Sequence, residues 1–165
     1  MREWWASVFE IEIRDSECQL LIARTHHNGQ NASQVAGALS IRRMTALQRG
    51  AGLWSMFPFT EDHGLENLLP VSSAMTNHRE RMMLGRTHYL LEVFGVCQKA
   101  KGVGLGRLLL EAACQIADAE GLDIFVQSNA VTEPLYCKFG FVRDCKVCVK
   151  GETEYIEYML VRKSQ

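Results

Sequence analysis

Apolar and polar positions give the chain an ambiguous first half and a clearly segmented second half. Residues 8–14, Val-Phe-Glu-Ile-Glu-Ile-Arg, alternate apolar with polar, which is the period of a half-buried strand. Cys18 to Thr25 is a second β-prone run, and Gln34 to Ile41 reads as the return strand of a hairpin. The residues between them, His26 to Asn31, carry turn chemistry, with Asn28-Gly29 its strongest signal. Gly50, Gly52, Pro58, Gly64 and Pro70 break residues 45–87 into short pieces. Within them, Ala74 to Leu84 reads as a helix with Arg79, Glu80 and Arg81 outward and Met75, His78, Met82 and Met83 partly buried. Such a Met-rich stretch fits plain core or a lid over a cleft.

The second half is more regular. His88 to Val96 is apolar almost throughout, Glu92 excepted, and predicts a central strand buried on both faces. From Leu105, apolar residues at 105, 108, 109, 112, 113, 116 and 117 predict a helix near 104–120, closed by Gly121. A strand over 123–128 follows, and the intervening helix makes it parallel to the strand before it. Thr132 to Lys138 reads as a short helix. Residues 141–149 and 153–161 form a closing hairpin around Lys150-Gly151-Glu152. The expected fold is α/β, a single domain over 1–165. Its sheet is mixed and mainly antiparallel, with a parallel pair at the centre and helices on both faces.

Composition narrows the partners. With 165 residues, 47% hydrophobic and 22% charged, the chain can build one ordinary core. A net charge of -1 and a pI near 6.5 give no electrostatic case for nucleic acid or an anionic membrane. No run approaches a membrane span or a signal peptide, so a cytoplasmic protein is expected. Cys145-Lys146-Val147-Cys148 has metal-ligand spacing, but it lies on a predicted strand, where residues three apart face opposite ways. No metal site is expected, and the six cysteines should be reduced and mostly buried.

The stretch Val96 to Leu110 carries the chemistry. Strand, Gly102-x-Gly104-x-Gly106 loop and amphipathic helix follow one another directly, with Lys101 beside the loop. A helix N-terminus behind such a loop suits a phosphate or pyrophosphate. A nucleoside-triphosphate loop needs Gly-Lys-Ser/Thr, whereas Arg107-Leu108 follows here. A dinucleotide fingerprint needs G-x-G-x-x-G and an acidic residue near the next strand's end, where Gln127-Ser128-Asn129 stands.

These residues resemble the GNAT superfamily of acetyl-CoA-dependent N-acetyltransferases. Val96, Gly102, Gly104, Leu105, Gly106 and Leu109 match the family's central motif. Asn129, Leu135, Tyr136, Phe139, Gly140 and Phe141 match its later one at the usual distance. His88-Tyr89-x-Leu91-Glu92-x-x-Gly95-Val96 looks like a group of fungal and bacterial members with poorly defined substrates. Gln98, Ala100 and Lys101 stand where proline, an aromatic and Arg or Gln are usual. The family's N-terminal strand-helix unit is expected to be short or missing, which bears on the acceptor cleft.

The resemblance implies a function. Acetyl-CoA would lie where the strand ending at Val96 splays from the one ending at Gln127. Main-chain groups around Phe94 and Val96 would pair with the pantetheine arm, and the strand amide would hold the thioester carbonyl as an oxyanion hole. Lys101, Gly102, Val103, Gly104, Leu105, Gly106 and Arg107 would hold the pyrophosphate, and Asn129 would line the arm. Glu92 would serve as base and Tyr136 as the acid for the departing thiolate. The partners implied are acetyl-CoA as cosubstrate and an amine acceptor, with no metal, nucleic acid or membrane; a homodimer is compatible with this. The alternative is a catalytically inactive acyl-CoA-binding or regulatory domain. Gly104→Val is expected to weaken cofactor binding while leaving the thermal midpoint without ligand nearly unchanged.

Overall fold

In the computed structural model, which describes residues 2–26, 33–45, 65–149 and 155–165, six strands form one sheet in the order β1-β2-β3-β4-β6-β5. Helix α1 (Arg2–Arg14) precedes the hairpin of β1 (Cys18–His26) and β2 (Ser33–Met44). Helix α2 (Leu65–Met83) and β3 (His88–Val96) follow. Then come α3 (Leu105–Ala119), β4 (Ile124–Ser128), α4 (Glu133–Cys137), β5 (Val142–Val149) and β6 (Tyr155–Arg162). All strand pairs are antiparallel except β3 and β4, so the mixed sheet with one parallel central pair is as expected. The turns expected at 27–31 and 150–152, and most of the broken stretch after Thr45, lie outside the described residues.

Alternation along the central strands divides the core into two layers. Leu39, Ile41, Tyr89, Leu91, Ile124 and Val126 pack against Leu109, Leu110, Ala113, Cys114 and Ala117 of α3. On the other face Met44, Leu90, Phe125 and Met159 pack with Met83, and with Ala74, Met75 and Met82 of α2. The buried stripe of α3 is rotated from the expected one, since Leu108 is 60% exposed. Gly121, at φ +64°, ends α3 with Leu122 N–H bonded to Ala117 O at 2.9 Å, a helix-terminating turn that favours glycine.

Four expectations change. Residues 8–14 are helical, because Val8 and Glu12 (0 and 1% exposed) form one buried face and the Trp5 and Phe9 rings stack one turn apart. The inward residue at the second position is a glutamate, which gave the segment the alternation of a strand. A helix therefore does precede the hairpin. Helix α2 runs through Pro70 and begins nine residues before the expected Ala74, and its Arg79 is 3% exposed rather than outward. Strand β3 is buried in both main chain and side chain only from His88 to Leu91, because β4 covers no more of it. Among the described cysteines only Cys114 is buried, while Cys97 and Cys137 are exposed.

Candidate functional site

The parallel pair β3/β4 is paired only at Tyr89↔Ile124, Leu90↔Phe125 and Leu91↔Val126. Beyond that point β3 continues to Val96, still paired with β2 through Gly37, while β4 ends at Ser128. A register shift at Ser40/Ile41 leaves Glu92 as an extra residue opposite β2, a bulge at the start of the separation. The strands thus open a wedge, one wall of which is the edge of β3 at Phe94 to Val96 that β4 leaves unpaired.

The glycine loop closes the wide end of that wedge. Gly102 and Gly104 both have positive φ, +87° and +88°, and Gly104 is the N-cap of α3. No side chain caps this helix and its first turn holds no acidic residue. The first intrahelical bond runs from Leu108 N–H to Gly104 O at 3.1 Å. The amides of Gly104, Leu105, Gly106 and Arg107 therefore precede the internal ladder and remain as donors at the positive end of the dipole. Lys101, Val103 and Arg107 are exposed beside them. A Cβ on Gly106 would meet Phe94 Cζ at 3.4 Å and Val96 Cγ2 at 3.6 Å, so the first turn of α3 sits directly on the open part of β3.

The second motif builds the opposite wall. Asn129 Oδ1 accepts the amides of Val131 and Thr132 at 2.9 and 3.0 Å, fixing the turn from β4 into α4. Its oxygen is thereby committed to the turn. That turn sets Tyr136, 4% exposed, between Phe94 and Phe141, with ring centroids 6.1 and 5.4 Å away. Burial, then the charge of Glu157, pushes the Tyr136 hydroxyl well above the ordinary phenol range. At neutral pH it is a proton-bearing donor. Phe94, Val96, Gly106 and Tyr136 are thus brought together, whereas Asn129 supports the turn.

Glu92 sits in a buried charged cluster that the sequence did not reveal. Its carboxylate accepts from Arg42 Nε at 2.7 Å, with the two side chains 1 and 5% exposed, and the same guanidinium pairs with Asp15 at the end of α1. Glu12 of α1 accepts from the Ser40 hydroxyl at 2.6 Å, and Ser40 Oγ accepts the amide of Val93 at 3.2 Å. Burial, with the Glu92 charge adding to it, pushes the Glu12 carboxyl up to about 7. Glu12, Cys18 and Glu92 offer possible metal-ligand atoms within 4.8 Å of one another, but the Arg42 guanidinium already supplies the cation there. Burial lifts the Cys18 thiol to about 12, leaving it protonated. Glu12, Ser40, Arg42 and Glu157 were missed because each reads as a surface residue of a helix or strand. The 3-then-4 spacing of Trp5, Val8 and Glu12 was the one available signal.

A separate cavity of about 850 Å³, lined by Arg79, Arg81, Arg86, His78 and His88 among others, lies by the first residue of β3, at the other end from the wedge. No described helix is long and apolar enough to cross a membrane.

Comparison with known proteins agrees with this geometry. The family model "Acetyltransferase (GNAT) domain" matches residues 78–161, which include β3, the loop, α3 and α4. No curated protein sequence matches the chain. Among solved structures, Arabidopsis thaliana NAA60 in complex with a bisubstrate analogue is similar with a TM-score of 0.64 at 10% identity, covering 96% of this chain and 82% of that one. A putative streptothricin acetyltransferase of Bacillus anthracis, in complex with acetyl coenzyme A, has a TM-score of 0.59 at 15% identity and covers 95 and 68%. The ribosomal-protein-S18-alanine N-acetyltransferase of Escherichia coli has a TM-score of 0.57 at 13% identity, with coverages of 100 and 78%. With just over half of its length matched by the family model and the wedge inside that match, the chain belongs to the GNAT acetyltransferase family.

Proposed function

We propose that the chain transfers the acetyl group of acetyl-CoA to a primary amine of a small molecule or peptide by direct attack on the thioester. The observation that carries this reading is the wedge between β3 and β4, with the uncapped N-terminus of α3 at its mouth. The amides from Val103 to Arg107, with Gly102 and Lys101, take the pyrophosphate. The open edge at Phe94 and Val96 pairs with the pantetheine arm as an added strand would, and Asn129 holds the turn beside it. An amide of the same edge donates a hydrogen bond to the developing oxyanion.

Direct attack requires an unprotonated amine, and the cluster around Glu92 supplies the proton acceptor. When the carbon–sulfur bond breaks, its electron pair goes to sulfur, where the Tyr136 hydroxyl donates. A phenol held above its ordinary range stabilises the thiolate first by a hydrogen bond, with the proton completing the step. Release of CoA thiol across a panel of polyamines, amino sugars, arylamines and peptides tests the reading. Amine-dependent release supports it. Acetyl-CoA binding without release for any amine would instead support an inactive acyl-CoA-binding domain.

A further inference from the structure

We propose that Glu12, on α1, rather than Glu92, takes the proton from the acceptor amine, with Ser40 and Arg42 as its positioning residues. The inference rests on the transfer reading and concerns the proton acceptor within it.

Three geometric facts lead to this assignment. The Glu12 carboxyl stands two hydrogen bonds from β3, through Ser40 Oγ to the amide of Val93, one residue before the open edge at Phe94 and just past the point where β4 leaves. Glu92, the nearer acid by sequence, is committed to a buried ion pair with Arg42, and taking a proton would break that pair. The second oxygen of Glu12 and Nη2 of Arg42 are both buried without a hydrogen-bond partner, an acceptor and a donor left over in one cluster. An unsatisfied buried polar atom is costly, so these two mark where a polar group of the substrate, or one bridging water, is received.

The charges around Glu12 favour the same role. Ser40 and Arg42 face it from β2, Cys18 from β1 and Glu92 from β3, while Asp15 closes the end of its own helix on Arg42. When Glu12 is ionised the cluster holds three carboxylates against the Arg42 guanidinium, with Arg79 of α2 acting on Glu92 from beside it, so the balance stays negative and the cluster attracts an ammonium and accepts its proton. A carboxyl titrating near 7 is poised for proton transfer at neutral pH, where an ordinary glutamate is too weak a base. In the step, an N–H bond of the ammonium breaks and its proton passes to the free oxygen of Glu12. The nitrogen lone pair then forms the carbon–nitrogen bond as the carbon–sulfur bond breaks.

The test is the pH dependence of kcat/KM for acetyl transfer to whichever amine the parent uses. The parent should lose activity below about pH 7 with a single protonation. Glu12→Gln should lower the rate about 10²-fold or more and abolish that limb, as removal of a general base does. Glu92→Gln should keep the limb but shift it to lower pH, since the charge opposing Glu12 ionisation is gone. Glu12→Asp, which keeps a carboxylate, should retain a limb at reduced rate. Carbon-13 NMR of the glutamate carboxyls gives an activity-free check: one carboxyl titrating near 7 should vanish in Glu12→Gln. An unaltered limb in Glu12→Gln, or no such carboxyl in the parent, would overturn this assignment alone. A parent that transfers to no amine would overturn it together with the transfer reading.

Discussion

A Cβ built on Gly106 of α3 lies 3.4 Å from Cζ of Phe94 on β3, within ordinary contact but with no room to spare. Helix α3 is therefore seated against β3, the strand proposed to carry the acyl chain, and the side-chain direction at 106 points into the protein. Gly106→Ala should be tolerated, with the acetyl-CoA Kd within a few-fold of the parent. Gly106→Val overpacks the contact and should cost about 1–3 kcal/mol of stability, measured by denaturant unfolding.

Gly104 behaves differently. Nothing lies within 4 Å of a Cβ there, but φ is +88°, a conformation that a β-branched residue strongly resists. Sequence reasoning expected Gly104→Val to spare the thermal midpoint, and the backbone angle corrects that. The variant should lose about 1–2 kcal/mol as well as acetyl-CoA affinity. Thermal melts without ligand and calorimetric titration with acetyl-CoA separate the two effects; a midpoint equal to the parent's would contradict the geometry.

Tyr136→Phe keeps the ring between Phe94 and Phe141 and removes only the hydroxyl. It should lower kcat about 10²-fold while acetyl-CoA affinity stays close to the parent's. Steady-state kinetics with a titration of cofactor binding will show whether turnover survives, which would assign the donor to water or to another residue.

His88 gives a pH dependence unconnected with catalysis. Its Nδ1 lies 2.7 Å from Arg86 O and must donate to it, so Nε2 accepts from Arg79 Nη1 at 3.3 Å. Burial first, then the charges of Arg79 and Arg86, pushes this imidazole down to about 4. The unfolded chain takes up its proton near 6.5 and the folded one only near 4. Stability from the neutral ring is thus fully present above pH 6.5 and lost as pH falls toward 4. The loss should be on the order of 2–3 kcal/mol. In His88→Gln, which keeps a donor and an acceptor, chemical denaturation should show a flatter decline; an equal decline would contradict the assignment.

The parts of the fold that were legible are those whose local chemistry agrees with their tertiary surroundings. Strand β3, helix α3 with Gly121, β4 and α4 each carry their own periodicity and stops, so the parallel pair followed directly. Helix α1 was misread because Glu12 occupies an inward position that a periodicity argument reserves for an apolar side chain. Arg79 was placed outward for the same reason. The glycine loop could be found because its spacing is local, and Tyr136 through the family resemblance of the residues around it. The cluster of Glu12, Ser40, Arg42 and Glu92 draws on α1, β2 and β3, brought together by strand register and by the packing of α1 on the sheet, and no sequence interval encodes it. Glu92 was found by its isolation in an apolar strand, but its partner Arg42 lies 50 residues away.

The most direct test of the account is a nitrogen-15 amide NMR titration of the protein with acetyl-CoA. If the wedge holds the cosubstrate, the largest shifts should fall on the amides of Val93 to Val96 and Val103 to Arg107, with Tyr136 following. Residues of β5 such as Lys146 should be unaffected. Saturating shifts confined elsewhere, for example around Arg79 and Arg81 at the opposite end of β3, or no shifts at millimolar acetyl-CoA, would contradict the placement of the acyl donor between β3 and β4.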